Sequence, residues 1–309
     1  MEYREIKVSL PKEHSDILYA LLDELQVAGY YEILFDGESP KEPNQGLIKD
    51  FTNIRIYLLR EDIEKELQIL IFLKANFPEQ LSFETRFIET RDYEEAYKEY
   101  YKPFSIGKKI WVIPTWEKNE PKVINLWKDQ DGIPLFINPG VAFGTGHHET
   151  TKLILEYLDE LREKDKFAFP TVADLGTGSG ILSIGLAKLG SKKIFALDID
   201  PNAVKAAWSN WQDNDFTKEI SFRVEESGLD HSLCFESQFD LIIANITFAV
   251  LSQNIRHLAK MKSKRFIFSG IITEKKDDFI LLLQSHLPGK LIHQKEWNEW
   301  WVLDWERNA

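Results

Sequence analysis

Two carboxylates and three glycines between Val172 and Asp200 carry the clearest chemical signal in the chain. The stretch reads VADLGTGSGILSIGLAKLGSKKIFALDID. Asp174 closes one apolar run, Gly176, Gly178 and Gly180 follow, and Asp198 closes a second apolar run 22 residues after Gly176. Glycines at such a turn let backbone approach a ligand closely. An acid at the end of the second strand stands where a ribose presents its hydroxyls. The alternative is an ordinary strand-to-helix turn with incidental acids.

The glycine spacing also bears on which nucleoside would bind. A dinucleotide site carries glycines at the first, third and sixth positions, with pyrophosphate on the helix N-terminus. Here they fall at the first, third and fifth, and Ile181 takes the sixth. Asp174 would repel a pyrophosphate but suits a cationic amino-acid tail. S-adenosylmethionine has an ammonium, a sulfonium and no phosphate, and is the cofactor these residues fit.

Two further segments could contribute. The loop Asn138 to Thr151, NPGVAFGTGHHETT, joins three glycines, two histidines and paired threonines. It could cover a ligand, with Phe143 as an apolar lid and Thr145, Thr150 or Thr151 offering hydroxyls. Equally, Thr150 or Glu149 could simply begin the next helix as a cap or first-turn acid. Adjacent residues rarely face one ion and no cysteine or carboxylate cluster accompanies His147 and His148, so no metal is expected. A general base or a structural loop role remains for them. The run FDLIIANITF ends a strand at Asn245. An amide there can accept a hydrogen bond from an amine nucleophile and donate one to a ligand, or it can cap the following helix.

The elements needed to position these residues follow from apolar periodicity. Strands are read at Tyr3–Leu10, Tyr30–Phe35, Ile54–Leu59 and Leu81–Thr90, with helices at Ser15–Gln26 and Ile63–Leu73 and a Gly/Pro/Asn-rich loop over 37–46. This repeated strand–helix–strand pattern predicts a small ferredoxin-like α+β domain over residues 1–90. A charged, tyrosine-rich helical connector is predicted over 91–104. Residues 105–309 alternate strand and helix, with strands at Ile110–Pro114, Leu135–Asn138, Ile220–Val224, Leu241–Ala244 and Arg265–Ser269, and a last hairpin at Lys290–Gln294 and Trp300–Leu303. That alternation predicts an α/β, Rossmann-like domain whose mostly parallel seven-stranded sheet is covered on both faces. Trp297, Trp300, Trp301 and Trp305 are read as packing on the last strands.

Composition narrows the function classes. At 309 residues two domains are the natural expectation, and 43% hydrophobic with 28% charged residues is ordinary for a soluble globular chain. The single cysteine, Cys234, rules out an intramolecular disulfide. No secretory signal and no apolar run of membrane-spanning length is visible, so the expected location is cytoplasmic, without membrane association. A net charge of −12 argues against a nucleic-acid grip and leaves room for a basic partner. A monomer is favoured, although nothing in the sequence decides it.

With these residues placed, the chain resembles the PrmA family, methyltransferases of large-subunit ribosomal protein eleven. The loop at 138–151, DLGTGSG at 174–180, DIDP at 198–201, ANI at 244–246 and the linker KPFSIGKKIWVIPTW at 102–116 carry the resemblance. Many members have proline where this chain has Glu149. The resemblance implies that Thr151, Gly176, Asp198 and Asn245 contact S-adenosylmethionine, with Phe143 and Thr145 over it. It implies a substrate-capturing N-terminal domain and methylation of lysine side chains and the α-amino group of that ribosomal protein, with Asn245 nearest the incoming amine. Two alternatives stay open: a methyltransferase of a glutamine amide or nucleobase, and a non-catalytic S-adenosylmethionine-binding module. The absence of prolines after Asn245 and the negative charge weigh against the former.

Overall fold

The computed structural model describes residues 2–11, 15–25, 27, 29–32, 51–77, 82–89, 98, 101–138 and 144–308. Two compact units divide the chain, Met1–Tyr101 and Lys102–Ala309. The loop predicted at 37–46 and most of the predicted connector lie outside the described residues.

In the first unit, β1 (Glu2–Pro11), α1 (Ser15–Glu24), β2 (Gly29–Glu32), β3 (Phe51–Leu59), α2 (Ile63–Asn76) and β4 (Ser82–Glu89) follow in order. The sheet order is β2-β3-β1-β4 and every neighbouring pair is antiparallel, the ferredoxin-like arrangement. Alternation along β1 puts Ile6, Val8 and Leu10 on one face, where they meet Ile54, Ile56, Leu58, Ile69 and Leu73 in a core of this unit's own. Glu5, 1% exposed, is kept ionic company by Arg55 and accepts from Tyr57 Oη at 2.8 Å, which offsets the cost of burying it.

The second unit opens with β5 (Phe104–Ile106), β6 (Ile110–Pro114), α3 (Pro121–Lys128) and β7 (Ile133–Ile137), a small three-stranded sheet in the order β5-β6-β7. The strand reading anticipates β6 and β7 but neither β5, which is three residues long, nor α3. Then come α4 (Glu149–Glu163), β8 (Thr171–Leu175), α5 (Ile181–Leu189), β9 (Lys193–Asp198), α6 (Pro201–Asp213), β10 (Ser221–Glu226) and α7 (Ser232–Glu236). The remainder is β11 (Gln238–Phe239), β12 (Leu241–Asn245), α8 (Phe248–Gln253), α9 (Ile255–Lys260), β13 (Lys262–Ser263), β14 (Arg265–Ile272), α10 (Thr273–His286), β15 (Gly289–Trp297) and β16 (Trp300–Arg307).

The large sheet has seven strands in the order β10-β9-β8-β12-β14-β16-β15. The first five run parallel; β16 is antiparallel to β14, and the edge strand β15, antiparallel to β16, runs in the same direction as the first five. Central strands covered on both faces are mostly apolar: Leu241, Ile242, Ile243 and Ala244 are fully buried, as are Val172 and Leu175. Strand order reverses between β8 and β12, so the crevice beyond their C-terminal ends is the place for a ligand.

Candidate cofactor and methyl-transfer site

Asp174 lies one residue before the end of β8 and is fully buried. Its Oδ2 accepts from Thr177 Oγ1 and Ser183 Oγ, each at 2.7 Å. Its Oδ1 has no hydrogen-bond partner among the described residues. Burial pushes the carboxyl above the ordinary carboxylate range, the two hydroxyls oppose that, and nearby Asp198 adds to it. A buried acid with one unanswered oxygen fits a cationic group and repels an anionic one.

The turn after β8 is built by glycine. Gly176 has φ +72°, and a Cβ there would stand 2.3 Å from Ile246 Cγ2. Its N–H and that of Thr177 both donate to Leu197 O at 2.9 Å, which ties the turn to β9. Gly178 donates its N–H to Asp198 Oδ2 at 2.8 Å. The acid and the turn, 20 residues apart, therefore form one unit. Ile199, next along the chain, is 76% exposed and offers an apolar surface beside that acid.

Asn245 ends β12, where Asn245 Nδ2 donates to Thr151 Oγ1 at 3.3 Å. It does not cap α8; Thr247 occupies that N-cap position. The segment after Asn245 runs between two glycines: Gly176 on one side and Gly270 on the other, where a Cβ would meet Ile246 O at 2.4 Å. Gly270 has φ +83° and sits at a register shift in β14. The sequence reading missed it, although a glycine inside FSGII signals a bulge or a close backbone approach.

The loop before α4 meets the same region. Ser179 Oγ donates to Gly144 O, which places Gly144 and the half-buried Thr145 beside the glycine turn. Phe143 lies outside the described residues. The cap of α4 is His148, whose side chain accepts from the N–H of Thr150, and Glu149 begins the helix as its first-turn acid. His147 packs against Phe104 with ring centroids 4.2 Å apart and planes tilted by 44°, and burial beside Lys152 lowers its pKa to about 4. Of the C-terminal tryptophans, Trp305 is core, 1% exposed, donating to Leu287 O at 2.9 Å. Trp297 and Trp300 instead flank the hairpin turn and reach the start of α4, Trp300 edge-on to His148 at 5.1 Å and Trp297 under Lys152 Nζ at 5.2 Å. The packing role read for all four thus holds only in part.

A parallel sheet with this strand order, a glycine turn flanked by acids and a strand-end amide beside it defines the class of S-adenosylmethionine-dependent methyltransferases, with S-adenosylmethionine as methyl donor. Residues 2–308 match the family model of ribosomal protein L11 methyltransferase (PrmA), and the chain belongs to that family. A ribosomal protein L11 methyltransferase of Leptospira interrogans serovar copenhageni is 49% identical over the whole of both chains. One from Paraburkholderia phymatum is 32% identical over 90% of each. A crystal structure of a ribosomal protein L11 methylase from Lactobacillus delbrueckii subsp. bulgaricus matches with TM-score 0.57 and 29% identity, over 68% of this chain and all of that one.

Proposed function

We propose that the enzyme moves methyl groups from S-adenosylmethionine to the lysine side-chain and α-amino nitrogens of ribosomal protein L11. The observation that carries the chemistry is Asn245, held by Thr151 at the strand end beside the acid–glycine turn. The family carries the substrate.

In this reading Asp198 takes the ribose hydroxyls, and Gly176 and Gly178 allow close backbone approach. Asp174 answers the cationic amino-acid tail with its unpaired oxygen, and Thr145, Thr151 and Phe143 complete the cofactor's surroundings. When bound, the cofactor would supply an activated methyl on its sulfonium, passed in line to the amine nitrogen as the carbon–sulfur bond breaks and the neutral thioether leaves.

The protein's own contribution is placement and dehydration. An ammonium with a pKa near ~10.4 in water has no lone pair to offer. Desolvation and a neighbouring positive charge lower that value, so the proton leaves to water as the amine enters. His147, with a pKa of about 4, is too weak a base to take it. With Asn245 Nδ2 committed to Thr151, the amide oxygen is the group left to accept the amine N–H and aim its lone pair.

Residues 1–101 capture the ribosomal protein, a role supported by their separate core and by the confinement of the cofactor residues to residues 143–245. The enzyme works in the cytoplasm as a monomer, needs no nucleic acid and is not membrane-bound. The net charge of −12 supports the independence from nucleic acid, and no helix among the described residues is long and apolar enough to cross a membrane.

Incubating the intact enzyme with labelled S-adenosylmethionine and purified ribosomal protein L11, then locating added mass by peptide mass spectrometry, tests the reading. Label on lysine and the N-terminus supports it. Label on glutamine, or cofactor binding without transfer, overturns it. The fragment 102–309 should bind the cofactor and leave the ribosomal protein unmodified; modification at the full-length rate would remove the recognition role from residues 1–101.

A further inference from the structure

Two asparagines one turn apart at the C-terminal end of α6, Asn210 in its last turn and Asn214 as its C-cap, are each 1% exposed where the other polar residues of the helix mostly face water. A buried amide costs stability unless its hydrogen bonds are filled, and here both amides reach backbone distant in sequence. Asn214 ties β7 to its own helix: Phe136 N–H donates to its Oδ1 at 2.9 Å, and its Nδ2 donates to Phe136 O and to Asn210 O, each at 2.7 Å.

Asn210 bridges two different segments. Its Oδ1 accepts the N–H of Asn138 at 2.7 Å, where the 138–151 loop leaves β7, and its Nδ2 donates to Ser179 O at 2.8 Å, inside the glycine turn. Ser179 Oγ in turn donates to Gly144 O further along the same loop. One side chain therefore sets the spacing between the loop and the glycine turn, the two stretches of backbone that flank the proposed cofactor site.

We propose that Asn210 is a positioning residue for S-adenosylmethionine binding, acting through Ser179 and Asn138 without touching the cofactor. This rests on the placement of the cofactor at Gly176, Gly178 and Asp198 proposed above. Asn214 is equally buried, and its side chain bonds Phe136 and the backbone O of Asn210 but neither the loop nor the glycine turn, so it is the internal control.

The test uses the full-length enzyme with Asn210→Ala, Asn210→Asp and Asn214→Ala, each measured for S-adenosylmethionine affinity by calorimetry, for KM and kcat in methyl transfer, and for thermal midpoint. Asn210→Asp keeps an acceptor for Asn138 N–H and turns a carboxylate oxygen on Ser179 O, so it breaks the glycine-turn arm alone even if Asn210→Ala does not fold.

The expected result is a rise in Kd and KM for S-adenosylmethionine on the order of tenfold in both Asn210 variants with kcat within about threefold, the pattern of a lost ground-state binding contact. Asn214→Ala should lower the thermal midpoint while Kd stays within about twofold. Parent-like affinity in Asn210→Asp, or a Kd that rises equally in Asn214→Ala, overturns the inference. Asp198→Ala, run alongside, separates the two proposals: normal affinity in that variant means that the site itself is misplaced, whereas weakened affinity there with parent-like Asn210 variants removes only Asn210.

Discussion

Asp198 Oδ2 lies 2.8 Å from the backbone nitrogen of Gly178, so the acid that ends β9 also pins the middle of the turn after β8. Its Oδ1 accepts the N–H of Asp200 at 3.0 Å. Each carboxylate oxygen keeps a further lone pair, enough to receive a ribose hydroxyl without releasing the turn. Asp198→Ala removes both functions at once. It should weaken S-adenosylmethionine binding by about 1.5–3 kcal/mol, the scale of a hydrogen bond to a charged group. Titration calorimetry on a folded variant measures this, and an unchanged affinity would take the ribose away from Asp198.

Gly176→Ala should harm both stability and binding. The backbone at φ +72° costs a side-chain-bearing residue about 1–2 kcal/mol. The new Cβ would stand 2.3 Å from Ile246 Cγ2, and overpacking of that kind costs roughly 1–3 kcal/mol. Ile246 follows Asn245 directly, so the displacement reaches the methyl-transfer end of the site. A lowered denaturation midpoint together with lowered turnover is the expected pair. A variant as stable as its parent would show that the turn has room that this geometry denies.

The acid–glycine turn was legible because its chemistry is local: a left-handed turn demands glycine, and strand-end acids stand out against apolar runs. The parallel sheet was legible for the same reason, since strands such as Leu241–Ala244 are apolar without interruption. Asn210 and Asn214 were not legible, because an amide in an amphipathic helix reads as solvent-facing until its partners, 31 to 78 residues away, are in place. The meeting of Trp300 with His148 is likewise set by the β15–β16 hairpin folding back along β14, which periodicity along the chain does not encode. Strand β5 escaped because three residues are too few to show alternation.

Asn245→Ala should reduce turnover more than affinity. Among the described residues the amide bonds Thr151 Oγ1 at 3.3 Å, and it sits half-buried at the end of β12. If its oxygen orients the incoming amine, its loss is felt in the transition state and kcat falls on the order of ten- to a thousandfold. Thr151→Val keeps the shape of the threonine but drops the acceptor that fixes the amide, so a smaller loss in kcat is expected. Rapid-quench single-turnover rates at saturating cofactor distinguish this from simple binding. Normal turnover in folded Asn245→Ala would leave Asn245 a cofactor contact only.

His147 should make the enzyme less stable in mild acid. Burial, with help from Lys152, lowers its pKa from 6.5 to about 4, so the native imidazole is neutral where the unfolded one has already taken a proton. Between those two values the unfolded chain binds more protons, and stability therefore falls as pH drops from about 6.5 toward 4 and is whole above that window. A shift of this size corresponds to on the order of 3 kcal/mol across the window. Replacing the ring with an uncharged planar group, His147→Gln, removes the titration and sacrifices some of the ring contact with Phe104. The expected outcome is a variant less stable than its parent at pH 7 whose deficit shrinks at pH 5, measured by denaturant unfolding at both values. A deficit equal at the two pH values would mean that His147 is protonated in the native state as readily as in the unfolded chain.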